Sequence, residues 1–250
     1  MSQEQCGFRN GLGTREALFS IQILVQRCRD INQKVYLCFI DFVKAFDKVR
    51  HEKLIEVLRK IGIDGKDLQF ITNLYWHQQA KIRRNHTLSN DFRIRRGVRQ
   101  GCILSPIFFN LYSEEIMSEA LEDTEEGIII NGKVINNLRY ADDTVLIAGS
   151  IEDLQKILNK VVTASENLGL NLNAQKTKYM VIDKEQIPTN VLRLKNVPLD
   201  KGKIVGKRSH GRPQITWLDN LRKWFNTSTI SLFRTAINKD QIANMITNVR

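Results

Sequence analysis

Asn137-Leu-Arg-Tyr-Ala-Asp-Asp-Thr-Val-Leu-Ile-Ala148 is the stretch that decides the fold. Apolar and β-favouring residues flank two adjacent carboxylates, Asp142 and Asp143. That predicts a short β-hairpin with the aspartates at its tip. Neighbouring carboxylates repel, so a turn that keeps them together leaves them in bulk water or gives them a cation. Far upstream, the apolar run Val35-Tyr-Leu-Cys-Phe-Ile40 predicts a buried strand, and it stops at Asp41. A strand end meeting the hairpin tip would bring three carboxylates to one sheet edge. Hard cations take oxygen ligands. Two metals ~3.5–4 Å apart clamp the attacking and leaving oxygens of an in-line phosphoryl transfer. Each piece has a plainer reading as well. Asp-Asp suits an ordinary turn, and a strand-terminal Asp looks like a helix cap.

The surrounding pattern alternates strands with helices. Thr14 is read as the N-cap of a helix to about Asp30, with Leu18, Ile21, Val25 and Cys28 on one face. A helix from about Arg50 carries Leu54, Val57, Leu58 and Ile61, with Asp47 as its cap and Gly62 ending it. Residues 80–98 predict a hairpin around Asn85–Asn90. Ser105-Pro106 opens a helix, Ser as N-cap and Pro at the first position, with Phe109, Tyr112 and Ile116 sharing a face. Asn131-Gly132 is a strong turn pair for a small hairpin within 127–137. Ser150-Ile-Glu-Asp153 is a capping box for a helix bearing Leu154, Ile157, Leu158, Val161 and Leu168, closed by Gly169. A strand around Thr177–Ile182 follows. The pattern by itself gives an α+β fold, a sheet with helices covering one face. Residues 183–210 are polar and basic, with Pro188 and Pro198, and read as a linker; 211–250 reads as a short helical tail.

Composition narrows the chemistry. Among 250 residues, 42% are apolar, enough for a real core. Cys6, Cys28, Cys38 and Cys102 form no Cys-x-x-Cys pair, which argues against zinc and against a disulfide scaffold. The longest apolar run is residues 35–40, too short for a membrane span, and no signal-peptide pattern opens the chain. An intracellular protein of cytoplasm or nucleus is expected. The net charge of +11, 38 basic against 27 acidic, favours a polyanion, and nucleic acid is the default. Lys81, Arg83, Arg84, Arg93, Arg95, Arg96 and Arg99 cluster against the single acid Asp91. A second cluster runs through Lys201, Lys203, Lys207, Arg208 and Arg212. Such residues bind phosphate backbone without reading sequence, or simply form a solvated face.

Five segments in order resemble the reverse transcriptases of non-LTR, LINE-type retrotransposons. They are Gln5-Cys-Gly-Phe-Arg-Asn-Gly-Leu-Gly-Thr14, Phe39-Ile-Asp-Phe-Val-Lys-Ala-Phe-Asp-Lys-Val49, Arg96-Gly-Val-Arg-Gln-Gly-Cys-Ile-Leu-Ser-Pro106, the Tyr140-Ala-Asp-Asp143 hairpin, and Leu168-Gly-Leu-Asn-Leu-Asn-Ala-Gln-Lys-Thr-Lys178. They are similar to a finger block and to palm blocks A to D of that family, and cover roughly residues 3–182. The resemblance implies a polymerase palm, an antiparallel sheet with helices packed on one face, in residues 1–182 together with partial fingers. It implies RNA-directed DNA synthesis on an RNA template and DNA primer from a dNTP, with two Mg²⁺ ions and Mn²⁺ as the alternative metal.

The resemblance also implies roles. Asp41, Asp142 and Asp143 stand as the metal-binding catalytic carboxylates, and Lys176 as the residue that protonates pyrophosphate, with Lys178 two places away as its rival. Phe46 stands against the sugar 2′ position, with core packing as its other reading. Gln100 and Gly101 line the nucleotide pocket with Tyr140, and Arg9 touches the triphosphate. Arg83, Arg84, Arg95, Arg96, Arg99, Lys207, Arg208 and Arg212 are the nucleic-acid-binding candidates. The family's upstream finger block, endonuclease, primer-grip hairpin and thumb find no counterpart in the sequence. A chain that binds nucleic acid and polymerises poorly or not at all is therefore expected. The rival reading is a non-catalytic basic nucleic-acid-binding remnant of a retroelement; a third is a motif set without function.

Overall fold

Val35–Ile40 (β1) is the central strand because both of its faces are covered. Tyr36, Cys38 and Ile40 enter one hydrophobic cluster, and Val35 and Leu37 enter another. Side chains alternate across a strand, so a strand buried on both sides reads as an unbroken apolar run. The structure, a computed structural model, describes residues 1–75, 78–99, 101–182 and 191–201, all within one unit, Met1–Lys203.

In chain order, helix Thr14–Asp30 (α1) precedes β1. Ala45–Lys48 (α2), His51–Lys60 (α3) and Gly65–Tyr75 (α4) follow it. Four short strands come next: Gln79–Ala80 (β2), Arg83–Arg84 (β3), Thr87–Leu88 (β4) and Phe92–Arg93 (β5). Helix Ser105–Leu121 (α5) leads to Ile128–Ile130 (β6), Lys133–Ile135 (β7), Asn137–Tyr140 (β8) and Asp143–Ala148 (β9). Helix Ile151–Asn167 (α6) precedes Lys178–Ile182 (β10), and Arg193–Leu194 (β11), Val197–Pro198 (β12) and Asp200–Lys201 (β13) close the described chain.

The main sheet runs β13-β10-β1-β9-β8 and is antiparallel except for the β10–β13 pair. Its larger core lies against α3, α4, α5 and α6, where Leu54, Leu58, Phe109, Tyr112, Ile116, Leu154, Ile157 and Leu158 are buried. This is the expected helical layer. The second face is covered too: Leu24 and Cys28 of α1 and Ile128 of β6 pack on Val35, Leu37, Val145 and Ile147.

Local corrections have local causes. Gly13, not Thr14, caps α1, and Glu16 Oε2 accepts from the Gly13 N–H at 2.7 Å. Leu18 is exposed, so the α1 stripe is Ala17, Leu24 and Cys28, flanked by Ile21 and Val25. Asp47 lies inside α2, and Arg50 occupies the cap of α3. Ser105 begins α5 rather than capping it, because its hydroxyl donates to the Arg99 carbonyl at 2.6 Å. Helix α4, which the sequence pattern does not predict, begins directly after Asp64, whose carbonyl accepts from Leu68 N at 3.2 Å. Residues 191–201, expected as linker, instead form the β11–β12 hairpin and a fifth strand of the sheet. Leu192, Leu194 and Leu199 are buried and drive this. The proposed helical tail lies outside the described residues.

Candidate active site

Ile40 faces Thr144 across β1 and β9, and Tyr140 faces Asp143 across β8 and β9. One further step of that register sets Asp41 beside Asp143. The loop between β8 and β9 is Ala141-Asp142, with Ala141 at φ 57°. A two-residue hairpin turn demands such a left-handed position. The sheet therefore brings the three expected carboxylates to one edge.

Their electrostatics agree. Asp142 titrates above the ordinary carboxylate range, first because it is partly buried, then because Asp143 and Asp41 repel its charge. A hydrogen bond with its own backbone works against the rise. Asp41 leaves β1 with its N–H donating to Thr177 Oγ1 at 3.3 Å and its carbonyl accepting from Asn173 N at 2.7 Å. Asp41 Oδ2 is buried and accepts no hydrogen bond. Lys176 Nζ stands 3.8 Å from it, beyond hydrogen-bond reach. Lys178 is occupied elsewhere, bonded to Asp200 Oδ2 at 2.9 Å. The geometry thus separates the two lysines.

Carboxylate oxygens alone, one of them buried and without a hydrogen bond, suit a hard divalent cation. Among the described residues, no three Asp, Glu, His or Cys side chains are drawn into a closed metal-holding cluster. Asp41, Asp142 and Asp143 are neighbours on one edge rather than a preassembled chelate.

The other candidates divide. Phe46 is half-buried in α2 and stacks on Phe109 with ring centroids 4.4 Å apart, so one ring face belongs to the core. The α2 turn is fixed from behind: Gly97, at φ 94°, lets its backbone approach Asp47, where an added Cβ would lie 3.2 Å from the Asp47 Cα. Val98 N donates to the Phe46 carbonyl at 2.9 Å. Gly101, at φ 81°, faces open space. Arg9 spends Nη1 on the carbonyls of Ser2 and Gln5, at 2.6 and 3.1 Å, which folds the N-terminal segment back. The Tyr140 ring lies 6.3 Å from that of Phe8, on the same segment. Arg83, Arg84, Arg95, Arg96 and Arg99 are all exposed on or beside the β2–β5 hairpins. Gln100, Lys207, Arg208 and Arg212 lie outside the described residues.

Residues 1–220 match the family model described as reverse transcriptase (RNA-dependent DNA polymerase). The chain belongs to the reverse transcriptase family. The polyprotein of the type-1 retrotransposable element R2 from Nasonia vitripennis is 27% identical over 217 residues, covering 85% of this chain and 20% of its own length. The type-2 element R2DM polyprotein of Drosophila melanogaster is 28% identical over 172 residues, covering 69% and 16%. This reverse transcriptase chain thus spans about a fifth of the length of such relatives. Telomerase of Candida tropicalis, in its apo form truncated from the C-terminal domain, superposes with a TM-score of 0.55 at 20% identity. That match covers 76% of this chain and 38% of the other, and it supports the palm fold.

Members of the family generally use divalent metal ions. Sequence reading missed three residues of this reverse transcriptase site. Thr177 and Asn173 hold the backbone of Asp41, and Gln5 bonds to the backbone of Ala141. All three lie within the quoted blocks, but only a fold shows what the Thr177 hydroxyl, the Gln5 amide and the Asn173 backbone N–H touch.

Proposed function

We propose that this chain carries an RNA-directed DNA polymerase site: a primer 3′-hydroxyl attacks the α-phosphate of a dNTP, and pyrophosphate leaves. The observation that carries the reading is the register that sets Asp41 beside the Asp142-Asp143 turn. Family membership and the telomerase-like fold support it. The implied partners are an RNA template, a DNA primer and a dNTP. The implied cofactor is a pair of Mg²⁺ ions, with Mn²⁺ the alternative. When bound, such cations stabilise charge on the transferring phosphoryl group and on both in-line oxygens.

The chain's own residues do the rest by position and charge. Asp41, Asp142 and Asp143 concentrate negative charge where a cation is needed. Lys176, beside Asp41, is placed to give a proton to departing pyrophosphate. The free face of Phe46 is set to press against the sugar 2′ position, and Gly101 leaves room for the nucleotide. Tyr140 flanks the carboxylates. Arg9 reaches the triphosphate only with the donors left after Ser2 and Gln5 are bonded. The exposed Arg83, Arg84, Arg95, Arg96 and Arg99 take the phosphate backbone; Lys207, Arg208 and Arg212 are further basic candidates for the same role.

The test is primer extension by the purified chain on an RNA template, with Mg²⁺ and beside Asp142→Asn. Metal-dependent incorporation that the variant loses by roughly a hundredfold or more is expected, as for removal of a principal electrostatic group. No incorporation, with retained salt-sensitive nucleic-acid binding, would favour the non-catalytic remnant instead.

A further inference from the structure

We propose that Gln5 is a positioning residue for the carboxylate hairpin, fixing the turn residue Ala141 through its side-chain amide. The kinetic half of this inference rests on the polymerase reading; the structural half does not.

Gln5 is fully buried, an uncommon place for an amide. Its Oε1 accepts from Ala141 N at 2.9 Å and from Gly7 N at 2.8 Å. Its Nε2 donates to the Ala141 carbonyl at 3.4 Å. The side chain thus bonds both polar groups of one turn residue, as a strand neighbour would. Ala141 needs that support. It holds φ 57°, a conformation that residues with a Cβ seldom adopt and that hairpin turns usually give to Asn, Asp or Gly. Asp142 is the next residue, so any drift of Ala141 moves a carboxylate.

The platform that presents Gln5 is itself anchored. Cys6 N donates to the Arg139 carbonyl, and Arg139 N donates to the Glu4 carbonyl, both at 2.8 Å. This lays Glu4–Cys6 along the outer edge of β8. Gly7 lies against the turn so closely that an added Cβ would overlap the Ala141 nitrogen. Asn110 of α5, also fully buried, donates from Nδ2 to the Gly7 carbonyl at 2.6 Å. A continuous path therefore runs from the helical layer, through Gly7 and Gln5, to the turn that carries Asp142.

The test compares wild type with Gln5→Met, which keeps the length and loses the bonds. Amide hydrogen exchange on the metal-free chain reads the turn directly. In Gln5→Met, exchange at Ala141 should accelerate roughly tenfold, the effect of losing hydrogen bonds of ordinary net strength, while Leu146 in the middle of β9 stays unchanged. Single-turnover primer extension should slow about ten- to a hundredfold, as displaced reacting groups predict, with primer–template affinity kept. Unchanged exchange at Ala141, or equal acceleration across β9, would overturn the proposal. If wild type extends no primer, the polymerase reading fails, and the exchange pattern still decides whether Gln5 fixes the turn.

Discussion

Ionising Asp142 costs more in the metal-free fold than in the unfolded chain, because burial and two carboxylate neighbours raise its pKa. The sign follows from linkage. A group whose folded pKa is raised contributes stability below its unfolded pKa and loses it as pH rises through the folded value. At neutral pH the ionised Asp142 is therefore a net burden. Asp142→Asn should raise the melting temperature of the metal-free chain at pH 7, and its advantage should shrink as pH falls toward the ordinary carboxylate range. A variant that melts lower at pH 7 would contradict this account. His51 has the opposite sensitivity. It is buried at the start of α3, with Nε2 2.8 Å from the Gly97 carbonyl, and burial lowers its pKa. The unfolded chain then binds the proton more readily. Stability should decline as pH drops below about 6.5, the unperturbed His value. Urea titrations at pH 7.5 and 5.5 would show it, and His51→Asn should flatten the difference.

At the scale of elements, α6 illustrates how a readable signal becomes structure. Ser150 Oγ accepts from Asp153 N at 3.0 Å, and Leu154, Ile157, Leu158 and Val161 are buried against the sheet. Ser150→Ala should cost ~1 kcal/mol, and Leu154→Ala ~2–5 kcal/mol, both measured by chemical denaturation. Equal costs would mean that the packed face of α6 adds nothing beyond its cap. Where the sequence carried chemistry of this local kind, the fold was legible. Asn131 and Gly132, both at positive φ, make the β6–β7 turn that their pairing foretold; the hairpin expected around Asn85–Asn90 turns earlier, at Asn85-His86, between β3 and β4. The strand before Asp41 and the hairpin around Asp142 were legible because apolar runs there end at charges. What escaped depends on distant partners. Leu192, Leu194 and Leu199 look like scattered apolar residues in a polar stretch, until the sheet edge and α6 receive them. Gln5 looks like any amide until the turn at Ala141 lies against it.

At the scale of the molecule, the carboxylate edge and the exposed arginines of the β3–β4 hairpin lie in different described segments, and that separates two measurements. Mg²⁺ bound at the carboxylate edge should stabilise the fold by mass action, about 2.7 kcal/mol at a hundredfold excess over its dissociation constant. Asp142→Asn should abolish that gain. The arginines of the β3–β4 hairpin should not affect it. Arg83 and Arg84 are fully outside the core, and their turn, Asn85-His86, projects them without help from the aspartates. If they meet nucleic-acid phosphates, each releases condensed counterions on binding, and affinity falls with salt in proportion to the number of contacts. Arg83→Gln with Arg84→Gln should then weaken binding to any sequence alike and lower the slope of log affinity against log salt by about 2. The Mg²⁺-dependent melting shift should stay as in wild type. Binding measured at two salt concentrations, for wild type and the double variant, decides it. An unchanged slope would assign the contacts to other basic residues and leave this hairpin as a solvated face.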